Sequence, residues 1–493
     1  MPFRSSIILT FLATLLLSLS GCDNSRDDGV VDAVIIGSPD GMYAPGYRLA
    51  ASGQLLRGAT AEGLVGLNAA GEVVPALADR WIVTDDGQSY IFRLRNGEWA
   101  NGTPLTGESV RASLDRNLRE LQGTSLGLDL SPISEVRAMT GRVVEIRLEA
   151  PVPGLLQLLA QPELGLQRDA EGTGPMALER DEAAAVLTML PPDRRGLPMI
   201  EGWDKTIRPV RVQAMAAPAA IEQFDSGAAD IVLNGRVNSL SLADTGALSR
   251  GTVRLDAALG LFGLRVNKSR GFLADAGRRE ALSLAIDRPS LVAPFNIGGW
   301  VPTTRIVDPT LSGSLDSSQE RWPDLSLEQR RATASARVAL WKAANGGDAP
   351  RLTIAMPTGP GSGILFRQIR ASLSSVGIAS ELVGPDADAD LELVDRLARF
   401  DSPRWFLNQF NCSLKQGLCS ADADALVLDA ISPGGPGERA DLLLQAEREM
   451  LASNVYIPFG APIRWSLVRG DVEGFATNRW GLHPLPPLAM GPI

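Results

Sequence analysis

Apolar and polar positions alternate with a period of two through Trp81-Ile82-Val83-Thr84 and Tyr90-Ile91-Phe92-Arg93-Leu94, on either side of Asp85-Asp86-Gly87. That pattern predicts a β-hairpin, with the glycine supplying the turn. Residues 143–148 repeat the alternation as another strand. From Thr106 the period lengthens. Glu108 falls in a first turn and Val110, Leu114, Leu118 and Leu121 share one face, predicting a helix over 106–122. Farther on, short apolar runs trade places with helical patterns. Strands are expected at 210–212, 229–233, 261–266, 352–356, 379–383 and 390–397, with helices at 216–224, through 278–287, 363–376 and 439–452. This alternation predicts α/β layers with parallel pairing in the second half. Residues 31–52 read as turn-rich around Gly37-Ser38-Pro39-Asp40-Gly41, and 301–325 as a long loop.

The first residues follow a different pattern. Arg4 precedes an apolar run, 7–17, and then Leu19-Ser20-Gly21-Cys22. A positive start, an apolar stretch and small residues before a break describe a signal peptide over 1–21. At about a dozen residues the run is too short to cross the roughly 30 Å hydrocarbon core as a helix. Cys22 directly after Leu-Ser-Gly resembles the bacterial lipobox, in which that cysteine is acylated and becomes the mature N-terminus. Residues 22–30 then form a lipidated tether, and a soluble body is held at a membrane surface.

Export changes how the remaining composition is read. The chain of 493 residues has three cysteines, and with Cys22 lipidated, Cys412 and Cys419 remain as a pair in an oxidising compartment. A local disulfide is expected. With a single histidine, His483, the sequence offers no histidine-rich metal centre, zinc finger or cysteine-ligated cluster. A net charge of -10, with 47 Lys and Arg against 57 Asp and Glu, argues against sequence-independent nucleic-acid binding. No cofactor, metal or nucleic-acid partner is expected, and no catalytic residue is assigned.

Four features could carry chemistry. Pro357-Thr358-Gly359-Pro360-Gly361-Ser362-Gly363, between a strand and a helix, could cradle an anion or simply turn the chain. His483 is read as a satisfied or surface histidine. The acidic runs 386–390 and 420–424 could in principle supply paired carboxylates, but read better as solvated loops. Trp300, Trp405 and Trp465 fall in loop-like contexts, and Trp405 could stack on a ligand or fill a core.

The order of segments says more than any one of them. Thr60-Ala61-Glu62-Gly63-Leu64-Val65, Val74-Pro75-Ala76-Leu77-Ala78-Asp79-Arg80-Trp81, the stretch 92–106, Gly172-Thr173-Gly174-Pro175, 226–231, 279–288, Val376-Gly377-Ile378 and Tyr456-Ile457-Pro458 together resemble the family 5 solute-binding proteins, receptors of peptide and nickel ABC importers. The resemblance implies a two-lobed α/β periplasmic binding protein fold, type II-like, with an additional inserted domain. It would have a discontinuous domain I at 31–60, 171–257 and 470–493, domain II at 61–170 and domain III at 258–469. The chain would cross between lobes near 255–262 and 464–472. It further implies a monomer, not an enzyme, that captures a peptide or peptide-like solute on the periplasmic side and delivers it to an ABC permease. Two other roles remain open: an envelope sensor or scaffold of the same fold, and a carboxylate-dependent hydrolase.

In peptide-binding members an aspartate before a Pro-x-x-Phe segment pairs with the ligand's ammonium group. Anchored on Pro403 and Phe406, that place falls to Arg399 here. An arginine there favours a carboxylate or phosphate. Either the register shifts so that Asp395 or Asp401 serves, or the ligand is not a standard peptide. Glu62, Arg399, Trp405 and Asn408 are the expected ligand-binding residues.

Overall fold

The computed structural model describes residues 29–99, 101–168, 171–181, 184–243, 251–311 and 319–491. The signal segment, Cys22 and tether residues 23–28 lie outside the described residues.

Two large sheets and a smaller one organise these residues. The first has seven strands, ordered Met176–Asp181, Ala184–Met189, Val210–Met215, Val31–Ile36, Ile231–Arg236, Arg464–Val468 and Val253–Asp256. Val31–Ile36 runs parallel to both of its neighbours, Val210–Met215 and Ile231–Arg236. The second sheet has five strands, ordered Ala379–Val383, Arg351–Ala355, Leu391–Leu397, Gly260–Val266 and Tyr456–Gly460. The third is an antiparallel four-stranded sheet of Ala78–Val83, Ser89–Leu94, Val143–Leu148 and Ile133–Met139.

The hairpin at 81–94 forms as its alternation requires. Helix Gly107–Glu120 starts at the Thr106 cap, whose side chain accepts the Ser109 N–H while Ser109 Oγ accepts the Thr106 N–H. Two other segments differ from the expectation. Residues 31–52, read as turn-rich, supply the central strand Val31–Ile36 and the start of helix Ala51–Thr60. That strand is flanked by parallel partners and mostly buried, so its apolar run does not alternate. Helix Leu327–Ala344 was not visible in the pattern, because only Ala334 and Val338 of its 18 residues are buried. The five-stranded sheet is mixed rather than parallel: Leu391–Leu397, Gly260–Val266 and Tyr456–Gly460 pair antiparallel.

The chain passes between the large sheets at 257–259 and returns at 461–463. The return comes ahead of the expected 464–472, because Arg464–Val468 is already paired with Ile231–Arg236 and Val253–Asp256. Leu259 is held on both sides: its N–H donates to Arg479 O at 2.8 Å and its carbonyl accepts Ala398 N–H at 2.8 Å. His483, at the first crossing, is buried and lies 3.0 Å from Asp256 Oδ2.

The Gly-rich turn is a contact between the two large sheets. Gly361 N–H donates to Asn238 O at 2.8 Å, and Asn238 Nδ2 donates to Thr358 O at 2.9 Å. A Cβ on Gly361 would stand 1.9 Å from Val237 O, so only glycine permits this approach. A protein carbonyl already occupies the helix N-terminus that an anion would need. Apolar packing is likewise continuous across the units: one buried cluster joins Phe92, Val144 and Leu158 of the inserted region to Phe400, Phe406 and Tyr456.

Candidate functional site

A cavity of about 580 Å³ opens where the sheets approach, within the range of small-solute sites. One wall is the strand Leu391–Leu397 with Ala398 and Arg399. Facing it are residues 48–51, Gln54, Arg236 and Arg464, with Ser125 and Leu126 of the inserted region at one end and Trp405 and Trp480 adding aromatic surface.

Ion pairs fix much of this lining. Arg464 opens its strand just after the return crossing and donates from Nη1 to Asp395 Oδ1 at 2.6 Å, both side chains buried. The pair links the seven-stranded sheet to the five-stranded one. Glu392 is taken by Arg265 at 2.6 Å. Arg399 Nη2 donates to Glu163 Oε1 at 3.1 Å and its Nη1 to Gln161 Oε1 at 2.9 Å, while Gln161 Nε2 donates back to Arg399 O. Arg399 therefore lies on the cleft but is spent on a latch between its strand and the inserted region. Arg396 is held by neutral groups, Gln409 Oε1 and Gln416 Oε1, each at 3.1 Å. Burial lowers the pKa of both Arg396 and Arg236.

Arg236 owes its position to an irregular strand. The register against Arg464–Val468 shifts between Val232 and Gly235, where Asn234 takes a φ of 65°. Trp465 lies flat on Gly235, where a Cβ would meet its ring at 2.1 Å. Its indole N–H donates to Arg236 O at 2.9 Å. Arg236 is thereby turned into the cleft, directly opposite Arg464 in the ladder.

The expected site residues separate. Arg399 and Trp405 line the cleft, Trp405 packed edge-on against Phe406 with centroids 4.9 Å apart. Asn408 turns away from it, donating to Asp129 Oδ1 at 2.6 Å beneath the cleft, and Gln409 takes the lining position. Glu62 is elsewhere, beside a different cavity of about 420 Å³, and is buried between Arg95 and Arg195. Trp465 is core, and Trp300 donates to Ala461 O at 2.8 Å. Arg236, Arg464 and Trp480 were missed, since strand pairing and the chain's return bring them to the cleft from far along the sequence. No cluster of His, Cys, Asp and Glu suited to a metal ion occurs among the described residues.

Cys412 and Cys419 are joined, and Cys412 N–H donates to Asp424 Oδ2 at 2.8 Å. The closed loop carries Gln416, the partner of Arg396. Converting both cysteines to serine is expected to cost roughly 2.5 kcal/mol through loop entropy, read as a lower urea midpoint. An unchanged midpoint would remove the loop from the stability account.

The comparisons agree with this geometry. The family model for bacterial extracellular solute-binding proteins, family 5 Middle, matches residues 72–415. A probable di/tripeptide-binding protein 5 of Pseudomonas aeruginosa is 24% identical over 85% of this chain and 88% of that protein. A probable deoxycholate-binding periplasmic protein of Escherichia coli is 34% identical, over only 21% of this chain and 23% of its own length. Among solved structures, an OppA of Burkholderia pseudomallei superposes with a TM-score of 0.78 at 18% identity, covering 95% of this chain and 99% of that one. A periplasmic binding protein in complex with agropinic acid, AgaA of A. tumefaciens R10, gives 0.73 at 19% identity, covering 94% of this chain and 98% of that one. These superpositions identify a two-lobed periplasmic binding protein fold, the matched region runs through the inserted sheet and most of the cleft wall, and the chain belongs to family 5 of the bacterial extracellular solute-binding proteins.

Proposed function

We propose that this protein is the solute receptor of an ABC importer, capturing a peptide or peptide-like solute between its lobes and delivering it to a permease. The observation that carries the reading is the cavity of about 580 Å³ between the two large sheets, walled on one side by Leu391–Leu397 and floored by the Arg464–Asp395 pair. A polar, largely pre-formed cleft between units joined by two short crossings suits capture by closure. The di/tripeptide-binding name of the Pseudomonas relative, which aligns along most of its length, supports a small peptide-like ligand. Arg399 and Trp405 contribute to the cleft wall, and Glu62 and Asn408 hold the scaffold around it. The seven-stranded sheet organises a discontinuous domain, the four-stranded sheet an inserted one and the five-stranded sheet a third. A lipid on Cys22 tethers the receptor on the periplasmic side, beside its transporter. Binding by closure needs no catalytic residue.

The mature protein should show a rise in melting temperature that grows with ligand concentration when titrated with di- and tripeptides. Its tryptophan emission should change in parallel, because Trp405 and Trp480 line the cleft. Absence of both signals across the panel would sink the receptor reading.

A further inference from the structure

The charge on the cleft wall is out of balance. Five arginines line the cavity against two carboxylates, and both carboxylates are already engaged, Asp395 by Arg464 and Glu392 by Arg265. Arg399 has Glu163. Among the described residues no carboxylate lies within ion-pair distance of Arg236, whose guanidinium also makes no hydrogen bond there. Its cross-strand partner is Arg464, another cation, and like charges directly opposite in a ladder destabilise it. The one acid near the pair, Asp395, accepts from Arg464 Nη1 at Oδ1 and from Nη2 at its backbone carbonyl. Burial and the Arg464 charge together push the Arg236 pKa down. Two guanidinium groups thus stand at the cleft floor beside a single carboxylate that pairs with Arg464 alone, and the strand irregularity at Asn234 and Gly235 holds Arg236 there.

We propose that Arg236 is the cleft's oxyanion-binding residue, so that the receptor selects solutes presenting a carboxylate or phosphate to it. The proposal rests on the receptor reading and names the ligand chemistry of that same cleft. A bound oxyanion would supply the missing second negative charge, turning the Arg236–Arg464 repulsion into two attractive contacts around Asp395. Guanidinium suits this role because its planar fork can bind both oxygens of a carboxylate or two of a phosphate. A solute offering only a free ammonium group finds no unpaired carboxylate among the cleft-lining residues to receive it.

Four peptides test this by calorimetric titration of the mature protein: Ala-Gln-Ala amide, which has no oxyanion; Ala-Gln-Ala, with a terminal carboxylate; Ala-Glu-Ala amide, with a side-chain carboxylate; and Ala-phosphoserine-Ala amide. At least one of the three oxyanion peptides should bind tenfold or more tightly than the oxyanion-free amide, as a charge-assisted hydrogen bond implies. The order among the three separates a carboxylate source from a phosphate source. Arg236→Gln should bring that affinity down to the level of the amide, and Arg236→Lys should restore part of it. Relief of the like-charge pair should also make ligand-free Arg236→Gln melt higher than the wild type, whereas a purely structural role for Arg236 would lower its melting temperature. Equal wild-type affinity for all four peptides, or a preference that survives Arg236→Gln, overturns the proposal while leaving the receptor intact. Failure of all four to bind counts against the receptor reading itself, and the proposal falls with it.

Discussion

Glu62→Gln is expected to destabilise the protein by about 3–5 kcal/mol, the usual result of removing one partner from a buried charge network, while leaving the ligand affinity of the cleft unchanged. Glu62 is 7% exposed and Arg95 is 5% exposed. Arg195 Nη2 donates to Glu62 Oε1 at 2.5 Å, and Arg95 Nη1 makes a 2.6 Å ion pair to Oε2 whose angles fall outside hydrogen-bond geometry. Arg95 Nε also donates to Arg195 O. Among the described residues the carboxylate is therefore the sole negative charge in ion-pair contact with two guanidinium groups that tie strand Ser89–Leu94 to the short helix Asp193–Arg195. Glutamine keeps the shape and removes the charge, leaving two desolvated cations side by side. Urea titration should show a lower midpoint at unchanged slope, and titration with the best-binding peptide should show the wild-type affinity. A weaker affinity at an unchanged midpoint would return Glu62 to the ligand site, where the family resemblance had placed it.

The contrast between Glu62 and Arg399 shows what the sequence could and could not convey. Arg399 and Trp405 were legible because they share one short segment, and the strand Leu391–Leu397 leading into helix Pro403–Asn408 keeps that segment on the cleft. Asn408 belongs to the same segment, yet its amide is drawn to Asp129 and Gln409 lines the cleft instead. Arg236 and Arg464 could not be found this way. Their meeting depends on the pairing of Ile231–Arg236 with Arg464–Val468 and on an irregularity in that pairing, and neither leaves a local pattern.

The same distinction holds for the fold. Amphipathic elements such as the 81–94 hairpin and helix Gly107–Glu120 were legible because one face of each meets water. Val31–Ile36 was not, being a mostly buried strand between parallel neighbours and followed by a Gly-Ser-Pro-Asp-Gly turn that dominated the reading. The segments that carried the family resemblance prove largely structural. Arg288, for example, donates to Thr303 O, Pro458 O, Ser283 O and Ser283 Oγ. Burial lowers its pKa to about 9. Such a residue ties turns together beside the five-stranded sheet and is not among the residues lining the cleft.

The second large effect is a pH dependence centred beneath the cleft. Asp129, on helix Ser125–Leu130, is 1% exposed, and burial pushes its pKa from 3.8 up to about 7 against the opposing pull of the Arg404 guanidinium and the Asn408 hydrogen bond. In the unfolded chain the carboxyl loses its proton near pH 4, whereas the folded protein retains it until about pH 7. The folded state therefore binds the extra proton between these values. Its stabilising contribution is complete below about pH 4 and is lost as the pH rises through 7. Asp129→Asn removes this dependence and keeps an oxygen for Asn408 Nδ2, which donates to Oδ1 at 2.6 Å. The mutant should gain on the wild type by about 2–3 kcal/mol between pH 5 and pH 8, at 1.36 kcal/mol for each unit of the window crossed. Urea titrations of both proteins at the two pH values measure this difference directly, since every other titrating group cancels. Parallel stability profiles would mean that Asp129 is ionised throughout and held by Arg404. A divergent pair would place a proton-dependent contact between the inserted domain, whose Ser125 and Leu126 line the cleft, and the helix that carries Trp405.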